Sequence, residues 1–260
     1  MRYHIDTIPL WDAVKLEGEC PLCAIRRRNE LLEVQRFLGA SVMEPDTRIQ
    51  VNQKGFCAHH QQMLFAQSNR LGHALMLHTH LKETQKNLTQ TLNQLSEAGK
   101  QLEAVNTLGR LMGKGASPTQ VVKDGAQAID AACRPCIICD SLTENMDRYL
   151  YTFLHLWKTD PEFKKAILNS KGLCLPDTAL LLEAAAEHLA PAQLADLVAA
   201  LVTLTEENLS RIGKELEWFT LKFDYRNQDK PWGNSQNAVE RTCNKLRGWC
   251  VGEEPNPKEK

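Results

Sequence analysis

Leu81, Leu88, Leu95 and Leu102 recur every seven residues, with Leu92 between them, in a stretch otherwise rich in Gln, Glu, Lys and Thr. An apolar stripe of that period on a polar background predicts one long helix from near His59 to about Val105, with the stripe as its packing seam. Ala24 to Leu38 also has helical composition, and a loop around Gly39, Pro45 and Asp46 is expected to end it. Further on, Ser141 to Leu156 predicts a helix, Asp160-Pro161 a break, and Phe163 to Leu168 a short helix. Thr178 to Lys222 predicts a long helical region. Pro191 should kink or split that region, because proline removes a helix hydrogen bond and clashes with the preceding turn. Ala238 to Trp249 reads as a short amphipathic helix, and the polar, proline-bearing stretch from Glu253 to Lys260 as a frayed tail. No run alternates with period two, so the expected fold is all-α with almost no sheet.

The chain also matches itself. At an offset of about 116 residues, Cys20-Pro21-Leu22-Cys23 falls on Cys136-Ile137-Ile138-Cys139, and Phe37-Leu38 on Phe153-Leu154. One inserted residue later, Lys54-Gly55-Phe56-Cys57 falls on Lys171-Gly172-Leu173-Cys174, and Leu64 on Leu181. A repeat of this length fixes the expected architecture. Two divergent helical halves, 1–115 and 116–228, pack as a helical bundle, with a C-terminal strap and short helix at 229–260. Gly109, Gly113, Gly115, Ser117 and Pro118 mark the linker. Each half reads as a cysteine knuckle, a helix, a loop, a second cysteine at a helix start, and a long helix.

Composition narrows the function classes. With 31 basic and 32 acidic residues among 260, the net charge is −1 and no global field favours nucleic acid. Met1 to Cys20 carries Asp6, Asp12, Lys15, Glu17 and Glu19, which is unlike a signal peptide, and no segment has the apolar length of a membrane span. A cytoplasmic protein is expected. Nine cysteines in a reducing compartment are more often metal ligands or reactive groups than disulfide partners.

The strongest chemical signal is the pair Cys20-x-x-Cys23 with Cys57-x-x-His60. A tetrahedral zinc ion takes four such ligands, and a two-residue gap lets both members of a pair reach one ion from a single turn. Gly55 supplies the backbone freedom that a tight ligand-bearing turn needs. A helix start after each pair favours the thiolate. The first site is therefore expected at Cys20, Cys23, Cys57 and His60. His60 is preferred over the adjacent His59 by its spacing. Dithiol redox chemistry and buried structural cysteines remain open. The second copy offers Cys136, Cys139, Cys174 and Asp177. A carboxylate is a harder ligand than imidazole, so this site is expected to be weaker, or empty, or completed by Cys133. Cys133, Cys136, Cys139 and Cys174 also supply four thiolates, which keeps an iron–sulfur cluster as an alternative cofactor to zinc.

Other features are weaker. His73, His78 and His80 read as ordinary surface or interface histidines. No phosphate loop, nucleophile elbow or paired-histidine protease motif is present, so no catalytic residue is assigned. Tyr225, Arg226 and Trp232 either close a pocket for an anionic ligand or form a strap whose aromatics seal the end of the bundle.

Tyr3-His4-Ile5-Asp6-Thr7, Glu19-Cys20-Pro21-Leu22-Cys23, Ser41-Val42-Met43-Glu44-Pro45-Asp46, Lys54-Gly55-Phe56-Cys57, Phe223-Asp224-Tyr225-Arg226 and Trp232-Gly233-Asn234-Ser235 together resemble a bacterial family classed as a domain of unknown function. The resemblance spans nearly the whole chain and brings no mechanism with it. It implies a histidine in the second Cys-x-x-His as well, so Asp177 is a departure. The leading expectation is a zinc-organised interaction or regulatory module. Its partner would be an unknown protein or small ligand, and it could form an oligomer through its long helices. The alternatives are a thiol redox or metal-dependent enzyme using Cys20 and Cys23, and an iron–sulfur or metal-sensing regulator.

Overall fold

A computed structural model describes residues 4–16, 18–105, 117–253 and 255. Every regular element among them is helical, so the fold is all-α. In chain order the helices are α1 (His4–Val14), α2 (Pro21–Leu38), α3 (Pro45–Lys54), α4 (Ala58–Ala66), α5 (Arg70–Val105), α6 (Pro118–Cys133), α7 (Ile137–Thr159), α8 (Pro161–Leu168), α9 (Leu175–His188), α10 (Pro191–Leu221) and α11 (Ala238–Arg247). Short 3₁₀ turns occupy Ala40–Met43, Tyr225–Asn227 and Gly233–Ser235.

Local signals place most boundaries. Asp160 caps α8, its Oδ1 accepting from the backbone N–H groups of Glu162 and Phe163 at 3.1 Å each. Pro191 begins α10 after a break behind α9, as a residue without an amide proton should. Two expectations change. The stretch from His59 to Val105 is two helices, because α4 ends at Ala66, where Gln67 turns extended and its N–H bonds Leu64 O at 3.2 Å, and Asn69 then starts α5. Its side chain accepts from Gly72 N–H at 2.9 Å and donates to Leu38 O at 2.6 Å. Pro45 opens helix α3 where a loop was expected, since proline is well placed at a first helical turn. Of the expected linker, Gly109, Gly113 and Gly115 lie outside the described residues. Ser117 and Pro118 start α6, with Ser117 Oγ accepting from Gln120 N–H at 3.2 Å.

The chain forms two compact units, Met1–Leu31 with Leu142–Lys260, and Leu32–Ser141. They do not coincide with the halves 1–115 and 116–228 and the strap 229–260. Helices α2 and α7 each contribute residues to both units. In the first unit, Phe153 and Phe163 are fully buried and meet edge-on at 5.1 Å, and Trp11 of α1 stacks edge-on against Phe163 at 5.4 Å. Leu154, Leu173, Leu181, Leu197 and Leu201 complete that core. The second unit buries Val34, Phe37, Val51, Phe56, Leu64 and Met76, with Phe37 and Phe56 edge-on at 5.4 Å. Phe37 and Phe153, and Leu64 and Leu181, which the self-match pairs, are all buried. Burying one such side chain contributes about 1.5–3 kcal/mol.

The leucine stripe of α5 is a seam only in part. Leu88 and Leu95 are half-buried and Ala98 is buried, whereas Leu81, Leu92 and Leu102 are exposed. Helix α6 packs on α5 closely enough that a Cβ at Gly125 would run into Leu95. With 16 residues against 36, α6 cannot cover the whole stripe.

Candidate metal centres

Four helix starts carry the ligand candidates. Cys57 and Cys174 are the N-cap residues of α4 and α9, in extended backbone, and neither side chain makes a capping hydrogen bond. Their sulfurs are thus left to point elsewhere. Two residues earlier, Gly55 (φ 63°) and Gly172 (φ 70°) both sit in the left-handed region that disfavours other residues. Cys20 and Cys136 directly precede α2 and α7, and Cys23 and Cys139 follow one turn later.

The structure pairs these turns differently from the sequence expectation. In the second unit Cys57, His60, Cys136 and Cys139 converge, and in the first unit Cys20, Cys23, Cys174 and Asp177 converge. Within each group every candidate ligand atom lies within 4.8 Å of the others. The expected sets, Cys20-Cys23-Cys57-His60 and Cys136-Cys139-Cys174-Asp177, are not the ones brought together. Helix length is the reason. The 18 residues of α2 rise about 27 Å, while the 10 residues of α3 that follow rise only about 15 Å, too short to carry Cys57 back to Cys20. The 23 residues of α7 and the 8 of α8 repeat the mismatch in the other half. Each knuckle therefore meets the second pair of the other half.

In the second unit, His60 Nδ1 lies 3.2 Å from Cys57 Sγ, 3.3 Å from Cys136 Sγ and 3.4 Å from Cys139 Sγ, and Cys57 Sγ is 3.7 Å from Cys139 Sγ. His60 and Cys136 are buried, Cys57 is half-buried and Cys139 is exposed. His59 is exposed and lies beside the cluster, its ring edge-on to His60 at 5.1 Å. Ile137 N–H donates to Gly55 O at 3.1 Å, tying the two ligand turns together. The His80 ring sits over Gly55 where a Cβ would collide with it, and its Nδ1 is 2.9 Å from Asn52 O. Buried His73 pairs through Nε2 with Gln61 Oε1 at 2.8 Å. These two histidines of α5 thus support α3 and α4.

In the first unit one carboxylate oxygen is the hub. Asp177 Oδ2 accepts from Cys20 Sγ at 3.2 Å, Cys23 Sγ at 3.3 Å and Cys174 Sγ at 3.2 Å, and Cys23 Sγ is 3.6 Å from Cys174 Sγ. All four residues are buried. The other oxygen, Oδ1, accepts from Arg26 Nη2 at 2.7 Å. Three further groups come from outside the repeat motifs, and spacing alone did not signal them. Lys245 of α11 is 2 % exposed, and its ammonium donates to Glu19 O at 2.7 Å, Lys171 O at 2.6 Å and Leu173 O at 3.4 Å. Trp249 N–H donates to Cys23 Sγ at 3.3 Å. The Glu19 carboxylate accepts from Arg211 at 2.6 Å and lies 3.4 Å from both Arg241 and Lys245.

These distances suit a tetrahedral ion. Sulfurs about 2.3 Å from zinc lie about 3.8 Å from one another and about 3.5 Å from a nitrogen or oxygen on the same ion. The observed edges fall within a few tenths of an ångström of those values. Protonation points the same way. Burial pushes the Cys20 thiol well up, and neighbouring sulfurs together with burial and Asp177 push Cys23 and Cys174 up. Burial also raises Cys136, but hydrogen bonding by His60 and by the backbone N–H groups of Cys57 and Cys139 outweighs it and brings that thiol down to about 6. Burial and the Cys136 and Cys57 sulfurs drive Cys139 up in turn. A crowded thiol cluster cannot hold several negative charges by itself; a dication in its centre lets all of them ionise.

Cys133 is exposed at the end of α6 and belongs to neither cluster, so the replacement-ligand role for it is not supported. The four-thiolate set with Cys174 is not assembled either, because Cys174 lies with Cys20 and Cys23. Arg226 is engaged by Asp224 at 2.5 Å and not by an open pocket. Phe219, Phe223 and Trp232 form an aromatic cluster in which Trp232 is half-buried against α10, while Phe223 and Tyr225 remain 71 % and 80 % exposed. Among the described residues no helix is long and apolar enough to cross a membrane.

No curated protein and no solved structure matches the chain. One family model does, over residues 1–253, the greater part of a chain whose two clusters both fall inside that span, and the protein thus belongs to the family of unknown function DUF6062.

Proposed function

We propose that this chain is a two-zinc helical protein in which each unit is organised by one ion, through Cys57, His60, Cys136 and Cys139 in one and Cys20, Cys23, Cys174 and Asp177 in the other. The observation that carries the reading is Asp177 Oδ2, at 3.2–3.3 Å from three separate thiols at the apex of a buried cluster. A carboxylate oxygen there repels three thiolates unless a cation sits among them. Four protein ligands fill each coordination sphere, which is the pattern of structural zinc and not of a catalytic ion with an open position. The role is then interaction or regulation in the cytoplasm, where a reducing environment keeps thiols available as ligands. The exposed Phe223 and Tyr225 support a partner-binding surface. The duplicated order of helices, α1 to α5 against α6 to α10, supports an origin from one repeated unit.

Elemental analysis of protein purified without added metal, together with its visible spectrum, tests this. Two zinc ions per chain and no colour are expected. Iron with visible absorption would replace zinc by a cluster, and absence of metal would remove the reading. A second reading, thiol chemistry, has its geometric support at Cys136, whose Sγ lies 3.3 Å from His60 Nδ1 although the residue is buried. It requires that the thiols of purified protein react with an alkylating agent while no metal is bound.

A further inference from the structure

The two clusters differ in what surrounds them, and the difference favours the one that carries the carboxylate. Three thiolates, a neutral imidazole and a dication sum to one net negative charge, whereas three thiolates, a carboxylate and a dication sum to two. A buried double charge is costly without a counter-charge. The first unit supplies one: Arg26, three residues after Cys23, binds the outer oxygen of Asp177 at 2.7 Å. The corresponding position three residues after Cys139 is Leu142, and there the fourth ligand is the neutral His60. Arginine thus accompanies aspartate, and leucine accompanies histidine.

The first unit also has a lock that the repeat does not provide. Helix α11 has no counterpart in the duplicated order of elements. Its Lys245 ammonium donates to Glu19 O, the carbonyl before Cys20, and to Lys171 O and Leu173 O, the carbonyls just before Gly172 and Cys174. One buried cation therefore holds both ligand turns from behind, as the metal would hold them from the front. The segment after α11 closes the remaining side. Trp249 N–H reaches Cys23 Sγ, and the indole lies over the Arg27 guanidinium at 4.9 Å. Asn237, Arg241, Asn244 and Trp249 also line a cavity of about 320 Å³ that borders Cys20 and Cys23, so α11 and the residues flanking it shape the approach to two of the thiols. In the second unit, Cys139 is exposed and Cys57 half-buried, and the turns meet through the backbone bond from Ile137 to Gly55, the Cys57 N–H on the Cys136 sulfur and the ion pair of Lys54 with Asp140 at 2.5 Å, whose side chains are both about half exposed, so that the cation here is at the surface and not behind the turns.

The geometry points to the Cys20-Cys23-Cys174-Asp177 centre as the more retentive of the two, with Lys245 and Arg26 as positioning residues that make a carboxylate acceptable as its fourth ligand. This rests on reading both clusters as metal centres. It reverses the order expected from ligand hardness alone, because charge compensation and burial outweigh the change of one donor atom. Outer-shell groups of this kind typically carry 10–100-fold in metal affinity.

The test is release of zinc from the intact chain to an excess of a strong chelator, followed with a zinc-sensitive dye. Cys139→Ser and Cys174→Ser variants assign each phase to its centre. Two phases are expected in the natural protein, the fast one lost in Cys139→Ser and the slow one lost in Cys174→Ser. Lys245→Met should speed the slow phase by about 10–100-fold and leave the fast phase unchanged. Arg26→Gln, at a partly exposed position that leaves the core intact, should speed the slow phase by about tenfold. With cobalt in place of zinc and the other centre removed by Cys57→Ser/Cys139→Ser, both substitutions should shift the ligand-field bands, which a merely structural role would not do. Two zinc ions with the Cys174 centre emptying first would overturn this inference and leave the metal reading intact. So would a slow phase unmoved by Arg26→Gln, even if Lys245→Met failed to fold. Zinc-free natural protein would instead overturn the metal reading itself.

Discussion

Both clusters are built from the same parts, a knuckle before one long helix and a second cysteine at the cap of another, yet they reach local balance by different means. The second unit uses a neutral imidazole and leaves an edge of the cluster open to solvent at Cys139. The first unit uses a carboxylate and encloses it with Arg26, Lys245 and Trp249. The two clusters thus differ in more than one side chain, since counter-charge, burial and the presence of α11 differ with it. Judging a metal site from its four ligands misses the groups that decide whether the fourth is tolerable.

The crossing of the turns is the part of this comparison most easily broken. With one zinc ion in each cluster, as proposed, Cys20→Ser/Cys174→Ser should remove one equivalent and leave the other, since both residues lie in one cluster. Cys20→Ser/Cys57→Ser should remove both. If elemental analysis shows the reverse, with the second pair keeping one equivalent, the turns pair within each half. Loss of a structural ion costs on the order of 10 kcal/mol of apparent binding free energy, so thermal unfolding should follow metal content.

The hydrophobic cores give a smaller effect. Phe153→Ala and Phe37→Ala remove fully buried rings from different units, and each should cost about 3–5 kcal/mol by denaturant unfolding. The two losses should fall on different transitions if the units unfold separately, and on one if they do not.

Smaller again is the contrast between the two glycines. Alanine at either position meets a left-handed backbone, at a cost of roughly 1–2 kcal/mol. At Gly55 the new Cβ also runs into the His80 ring, whereas at Gly172 it meets Leu204 at 3.2 Å. Gly55→Ala should therefore destabilise more than Gly172→Ala, and Gly55→Ala/His80→Ala should recover part of the difference. Equal melting temperatures for the two single variants would show that the ring gives way freely.

The slightest effect concerns pH. Burial raises the Glu19 carboxyl, but Arg211 and Lys245 outweigh it and hold it below the ordinary 4.5. A group with a depressed folded value adds stability above its unfolded value and loses it as pH falls through the folded one. Glu19→Gln should flatten the decline of stability below about pH 4.5 in metal-free protein while shifting neutral-pH stability by a similar margin. An unchanged acid limb would mean that Glu19 titrates alike in the folded and unfolded chain.

Much of the molecule is legible from the chain alone, for physical reasons that act locally. Proline and capping residues place α8 and α10, Gly55 and Gly172 declare their turns, and the two-residue gaps put Cys20 with Cys23, Cys57 with His60, Cys136 with Cys139 and Cys174 with Asp177 on single helical turns. Those are interactions across a few residues, and spacing encodes them. Helix α1 holds Pro9 within it, α3 opens on Pro45-Asp46 and α6 on Ser117-Pro118, so residues that read as breaks or linker are in fact inside or at the start of helices, and the break between α4 and α5 is decided by the extended backbone of Gln67 and one hydrogen bond to the Asn69 side chain. Which turn meets which is not local. It depends on the length of α2 against α3 and of α7 against α8, and on where those rods leave the chain in space. Lys245 lies 225 residues from Cys20 and 71 from Cys174, so no spacing rule could attach it to either. The sequence by itself determined the four ligand-bearing turns; only the tertiary structure decided how they pair and what charge surrounds them, because electrostatic balance in a buried site is set by every group the fold brings near it.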